Sequence, residues 1–153
     1  MLFLLFQLGV DRYALDTGQV AEVLPLVRLK QIPAAPPWVA GAFSYQGEPV
    51  PVIDLSSLAL GRPAQRRLGT RIVLVHYPHA GAAGHLLGIV VEKAISTLRC
   101  DPSDFTAYGI DNEGARYLGP VMNDPCGLIQ WIKVKDLLPA PVQSLLFPAT
   151  AAA

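Results

Sequence analysis

The stretch Gly41-Ala-Phe-Ser-Tyr-Gln-Gly-Glu-Pro-Val-Pro-Val-Ile-Asp-Leu55 decides how this chain is read. Two glycines bracket a short apolar run. Gly tolerates positive φ and close backbone approach, so Gly47 reads as the turn between two strands, Val39 to Tyr45 and Pro49 to Ile53. Pro49 and Pro51 cannot donate to a ladder, which places the second strand at an edge or an irregular end. An edge with unpaired backbone groups is a template on which another chain can dock. Asp54 is suited to N-cap a short helix over Leu55 to Leu60.

The same style extends in both directions. Short runs rich in Val, Ile, Phe and Tyr alternate with turn residues, the signature of strands. Leu2 to Leu8 and Arg12 to Leu15 flank Gly9-Val10-Asp11 as a hairpin. A helical turn at Thr17 to Gln19 leads into a strand from Val20 to Val27. Ile32 to Pro37 is an extended loop, because proline fixes φ and moves its predecessor out of the helical region. The polar segment Gly61 to Gly69 reads as a flexible boundary between two lobes. Beyond it lie strands Arg71 to Tyr77, His85 to Glu92 and Ala94 to Leu98, then a turn at Asp101 to Asp104 and a loop from Tyr108 to Arg116. A last hairpin, Tyr117 to Met122 with Leu128 to Val134, precedes weak helices at Lys133 to Leu138 and Pro141 to Leu146, and the Ala-rich end is expected to fray. About ten short strands make an all-β chain, and two small packed barrels suit their spacing better than one large one.

Composition narrows the function. The chain has 153 residues, enough for one domain or two small lobes sharing a core. It is 52% hydrophobic and only 16% charged, against roughly 25% in typical soluble domains. So little charge leaves apolar surface facing partners. Twelve basic and twelve acidic residues cancel and form no basic block, which argues against nonspecific nucleic-acid binding. Met1 to Leu8 lacks the basic start and cleavage site of a signal peptide. No apolar run reaches the ~20 residues of a membrane helix. Cys100 and Cys126 lack zinc-ligand spacing and read as free thiols in a reducing, cytoplasmic compartment.

Catalytic motifs are missing from the sequence: it has no nucleophile elbow, no H-E-x-x-H and no phosphate-binding loop. No enzyme activity, cofactor or metal is expected. His76, His79 and His85 surround one loop and are conceivable as a metal cluster, with solvent-exposed histidines as the plainer reading. The alternative to a binding protein is therefore a small β-barrel ligand carrier or hydrolase with a His-lined loop site. Trp38 and Trp131 read as buried anchors, and Trp38, after Pro36-Pro37, has the better claim to a surface patch.

Taken in order, Tyr13-Ala14-Leu15, Val20-Ala-Glu22-Val23-Leu24, Ile32-Pro33 with Pro36, Val39 and Gly41, and Gly47 with Pro51-Val-Ile-Asp54-Leu55 resemble the CheW-like domain. Arg71 to Val75, Gly88-Ile-Val-Val91-Glu92 and Tyr117-Leu-Gly119 continue the resemblance along nearly the whole chain. It implies one domain over 1–153, with two five-stranded SH3-like barrel lobes near 1–60 and 70–140, between which the chain can exchange, short helices and an apolar core between the lobes. It also implies a non-enzymatic scaffold coupling the cytoplasmic tip of chemoreceptors to the regulatory domain of a CheA-type histidine kinase. Such a protein is cytoplasmic and is recruited to membrane-bound receptor arrays.

The partner-binding residues this implies are Val20, Glu22, Val23, Gly41, Ser44, Gln46, Gly47 and Glu92. Glu22 is either a solvent-facing residue on a half-buried strand or, as the resemblance has it, part of the partner surface. Gly41→Val is expected to weaken binding without unfolding the barrel. One departure stands out. The family commonly has Asn-Leu-Arg-Gly where this chain has Ser44-Tyr45-Gln46-Gly47, so the guanidinium that could pair with Glu22 is replaced by an uncharged amide. A buried glutamate losing its cation would cost about 3–5 kcal/mol, so Glu22 is expected to be solvated or to find another partner such as Arg28. The same departure suggests an accessory or non-flagellar chemosensory system.

Overall fold

The computed structural model describes residues 1–79, 82–107 and 115–147. Nine strands and two short helices are built from these: β1 (Leu2–Leu8), β2 (Asp11–Asp16), β3 (Val20–Pro25), β4 (Val39–Tyr45), β5 (Glu48–Asp54), α1 (Leu55–Leu60), β6 (Arg71–His79), β7 (Ala82–Arg99), β8 (Leu118–Asp124), β9 (Gly127–Ile132) and α2 (Ala140–Leu146). The expected loop at Tyr108 to Arg116 falls largely outside the described residues, as does the Ala-rich end.

The strands form two five-stranded sheets that share β7. One has the order β8-β9-β2-β1-β7, using the C-terminal part of β7. The other has the order β3-β6-β7-β5-β4, using the N-terminal part. The β2–β9 and β5–β7 pairs are parallel, and the rest are antiparallel. This is the expected all-β pair of five-stranded lobes, but neither sheet closes on itself through a continuous ladder. In the second, the chain after β3 reaches β4 through one bridge, Lys30 to Ala42.

Most strands are apolar on both faces, which is why the sequence shows unbroken hydrophobic runs. Successive side chains point to opposite faces. On β6, Val73, Val75 and Tyr77 enter the large core between the sheets, with Leu4, Phe6 and Leu8 of β1 and Leu87, Ile89 and Val91 of β7. Ile72 and Leu74 turn the other way, to Val50, Val52 and Val90 inside the second sheet. Phe3, Ala14, Phe105, Met122 and Ile129 fill the first sheet in the same manner. Truncating a fully buried aromatic such as Phe6 to Ala in such a core typically costs about 3–5 kcal/mol.

Three expectations need correction. His85 to Glu92 and Ala94 to Leu98 are one strand of 18 residues, bent at Lys93 with φ +51°. The 61–69 segment joins α1 to β6 within one sheet instead of separating lobes. It is held by Ala64 N donating to Asp54 (3.0 Å), Gln65 N donating to Glu92 (2.7 Å) and Thr70 Oγ1 accepting from Arg67 N (3.2 Å). Strand β5 is an edge only at its start: Val52 to Asp54 pair with Gly88 to Val90. Pro49 and Pro51 precede that second ladder, so their missing N–H groups leave it intact.

Candidate partner-binding surface

Among the described strands β3 pairs only with β6, so its outer edge carries no ladder. A register shift between Val20 and Glu22 turns Ala21, Glu22 and Val23 all toward solvent. Val23 is 39% exposed, a branched aliphatic chain presented beside a carboxylate. Val20 is half-buried and packs on the inter-sheet core.

The β4–β5 hairpin supplies the other half of the surface. Tyr45 pairs with Glu48 across a two-residue turn in which Gln46 has φ +52° and Gly47 φ +84°. Positive φ at both central positions gives the turn that matches strand twist. Gly47 takes it without strain, whereas Gln46 adopts a region that side chains disfavour. Ser44, Gln46 and Gly47 are exposed there, and among the described residues the Gln46 side chain has no hydrogen-bonded partner.

The two halves meet through Tyr45. Its hydroxyl donates to Glu22 Oε2 at 2.5 Å, linking the two outermost strands of the second sheet. The bond to Glu22 raises the Tyr45 phenol above its ordinary pKa, because the carboxylate accepts from the protonated form. Glu22 is thus both exposed and partnered, by the tyrosine next to the substituted position and by neither Gln46 nor Arg28. Tyr45 was missed as a site residue; its signal was its place one residue before the turn of a hairpin ending near a sheet edge. The two aromatic rings of this strand, Phe43 and Tyr45, lie edge to face at 6.3 Å.

Gly41 and Glu92 are placed differently. Gly41 is buried at φ +143°, and a Cβ there would lie 2.5 Å from the Lys30 carbonyl oxygen and 3.0 Å from Leu29 Cβ. A valine at this site therefore strains the fold, contrary to the expectation that it would leave the barrel intact. Glu92 faces inward across the sheet junction: Oε1 accepts from Gly9 N (3.1 Å) and Oε2 from Gln65 N (2.7 Å). It is not brought together with Glu22 and Gln46.

The histidines do not converge. His76 pairs with Leu86 and is exposed, while His85 pairs with Tyr77 and shares its face. Tyr77 and His85 both contact Phe147, with ring centroids 5.6 and 4.8 Å apart. Adjacent positions of paired strands point to opposite faces, so His76 and His85 are directed away from a common ion. The side chain of His79 is outside the described residues. Trp131 packs with Phe3 (4.8 Å) and Phe105 (5.2 Å), and Trp38 lies half-buried against the inter-sheet core. Cys100 and Cys126 are free thiols. Among the described residues no helix is long and apolar enough to cross a membrane.

The sequence and fold match those of known proteins. The CheW family, described as the CheW-like domain, matches residues 2–142. A chemotaxis protein CheW of Treponema pallidum (strain Nichols) is 27% identical over 119 residues, covering 76% of this chain and 69% of that protein. The crystal structure of the scaffolding protein TtCheW from Thermoanaerobacter tengcongensis superimposes with a TM-score of 0.76 at 22% identity, over 88% of this chain and 84% of that one. With a family match over nearly the whole length and a matching fold, the chain belongs to the CheW-like family of non-enzymatic chemotaxis scaffolds.

Proposed function

We propose that the protein is a cytoplasmic adaptor that couples methyl-accepting chemoreceptors to a CheA-type histidine kinase and is recruited with it to membrane-bound arrays. The observation that carries this reading is the open β3 edge joined to the β4–β5 hairpin tip by the Tyr45–Glu22 bond. Exposed Val23 supplies apolar contact, Glu22 a carboxylate, and Ser44, Gln46 and Gly47 hydrogen-bonding groups on a ridge whose two halves are joined by Tyr45 and Glu22. Val20 supports the ridge from below, and Gly41 lets the Lys30 segment pack closely on β4 behind it. The lack of charge at Gln46 fits a receptor other than one selected by arginine, as in an accessory system controlling pili or surface sensing.

The test combines purified protein, the cognate kinase and a receptor cytoplasmic fragment in a sedimentation assay with kinase autophosphorylation as readout. A ternary complex with altered autophosphorylation is expected, and Glu22→Lys with Val23→Asp should abolish it while the protein stays folded. Failure of the unmodified protein to bind either partner, or full binding by the double variant, would overturn the assignment.

A further inference from the structure

A second surface lies away from the ridge, where the β1–β2 turn, the 61–70 segment and the bend of β7 come together. A half-open cleft of about 780 Å³ sits there, lined among others by Arg62, Arg67, Lys93, Glu92, Val10 and Leu68. Three of the chain's twelve basic residues thus face one cleft in a protein of zero net charge. One carboxylate, Glu92, shares the cleft; it is oriented by two main-chain N–H groups and offsets one of the three positive charges. Among the described residues the ion pair formed is Arg12 with Asp124, elsewhere in the fold, so the cleft keeps an excess of positive charge, with Arg62, Arg67 and Lys93 against Glu92 alone.

The cleft is built and not a chance crowding of mobile chains. The segment that carries Arg62 and Arg67 is pinned by Asp54, Glu92 and Thr70, which is itself buried. Arg62 Nη2 lies 2.6 Å from where a Cβ on Gly9 would stand, so the absence of a side chain at that turn makes its room. Lys93 extends from the bend of β7, with the Gly69 carbonyl accepting from the next amide, Ala94 N, at 3.3 Å. Like charges lining one cleft repel, and a multivalent anion lowers that repulsion.

We propose that this cleft binds a small anion bearing two or more phosphate groups, of the size of a nucleoside di- or triphosphate. Guanidinium groups match phosphate oxygens with paired donors, and the ammonium adds a point charge. The volume falls in the range of small-molecule sites, roughly 300–1,000 Å³. Among the described residues no aromatic side chain lines it, so the phosphates and not a stacked base provide recognition. Val10 and Leu68, 93% and 94% exposed, stand at the rim as apolar cover. A bound polyphosphate bridges the 61–70 segment of one sheet to the crossing point of β7.

Calorimetric titration of the isolated protein with pyrophosphate, ATP, orthophosphate and sulfate tests this without any kinase or receptor, so its failure is separable from failure of the adaptor role. One site is expected, with pyrophosphate and ATP bound more tightly than orthophosphate or sulfate and more weakly as salt rises. ATP tighter than pyrophosphate identifies a nucleotide; equal affinities identify bare polyphosphate. Arg62→Gln, Arg67→Gln or Lys93→Gln should each weaken binding about tenfold with thermal stability unchanged, since each side chain is exposed and contributes charge-assisted bonds. Absence of binding, binding equal for all four anions, or binding that survives the triple variant would refute the site. So would capture of an acidic peptide by these cations with no response to polyphosphate.

Discussion

Replacing Gly41 by Ala tests the account of the second sheet at one atom. At φ +143° a side-chain-bearing residue is strained by about 1–3 kcal/mol. The added methyl would also stand 2.5 Å from the Lys30 carbonyl oxygen, a backbone atom that cannot swing aside like a side-chain tip. Relief means moving the Lys30 segment off β4, which threatens Lys30 N to Ala42 O (2.8 Å) and Ala42 N to Lys30 O (2.9 Å). Each such bond contributes about 1 kcal/mol net, so losing both brings the total to about 3–5 kcal/mol. That is a large share of the roughly 5–15 kcal/mol holding a domain together. Urea unfolding followed by fluorescence of Trp38 and Trp131 reads it directly. With m near 1–3 kcal/mol/M, the midpoint should fall by about 1–2 M. Ser44→Ala, an exposed change on the same strand, should leave it in place. An unchanged midpoint for Gly41→Ala would refute both the close approach and the structural role given to this glycine.

The Tyr45 phenol is held above its ordinary pKa because its hydroxyl donates a hydrogen bond to Glu22, so Glu22→Gln should return that titration toward the usual value in a spectrophotometric pH scan; an unmoved curve would mean the bond is absent in solution. Asp124 is held below the usual carboxylate range chiefly by its hydrogen bond from Arg12, so its contribution is full above the unfolded value near 3.9 and disappears as pH falls through the lower folded value. Arg12→Ala should therefore lower the urea midpoint at neutral pH by the equivalent of ~1 kcal/mol or less and have a smaller effect in strong acid, and equal losses at both pH values would contradict it. Gln46→Asn places a residue that tolerates positive φ beside Gly47 and should raise stability by about 0.5–1 kcal/mol; a fall would argue against the turn geometry. Gln46→Arg should barely change stability but shift preference between receptors, and equal affinities in titrations with two receptor types would exclude position 46 from the contact.

Local chemistry made much of this fold legible. Val39 to Tyr45, the Asp54 cap and Leu55 to Leu60 emerge with their expected bounds because Gly47, the prolines and Asp54 punctuate the chain there. What stayed hidden depends on residues distant in sequence. Strands buried on both faces lack the polar alternation that would say which sheet they join, so nothing local to Leu2–Leu8 points to residues 92–99 of β7 as its partner. Lys93 looks like an end of strand because a bent strand carries the same signal as two short ones. Glu22, Gln46 and Gly47 were legible as a surface, but the hydroxyl of Tyr45 could be assigned to Glu22 only once β3 and β4 were known as opposite edges of one sheet. Gly41 and Glu92 look alike in sequence to residues of an interface, since a tight backbone approach and a docking site both select glycine, and an inward carboxylate is written with the same letter as an outward one.

The sharing of β7 sets the order in which the protein can assemble during synthesis. Leu2 pairs with Arg99 and Phe3 with Leu98, so β1 must wait for nearly a hundred later residues to be made before it finds this partner. Strand β2 waits longer still, for Ile129 to Trp131 of β9. In the interval the β1–β2 hairpin carries Phe3, Phe6 and Leu8 with neither face covered, a segment prone to pair with the wrong edge. Closing so long a loop is a slow search, and contacts of this sequence separation mark slow folders. Once β7 is in place, neither sheet can open alone, because each owns one end of the same strand. A circular permutant that opens the β1–β2 turn and starts the chain at β2 should therefore fold at a different rate yet unfold in one cooperative transition, and two separate transitions would show that the sheets are independent after all.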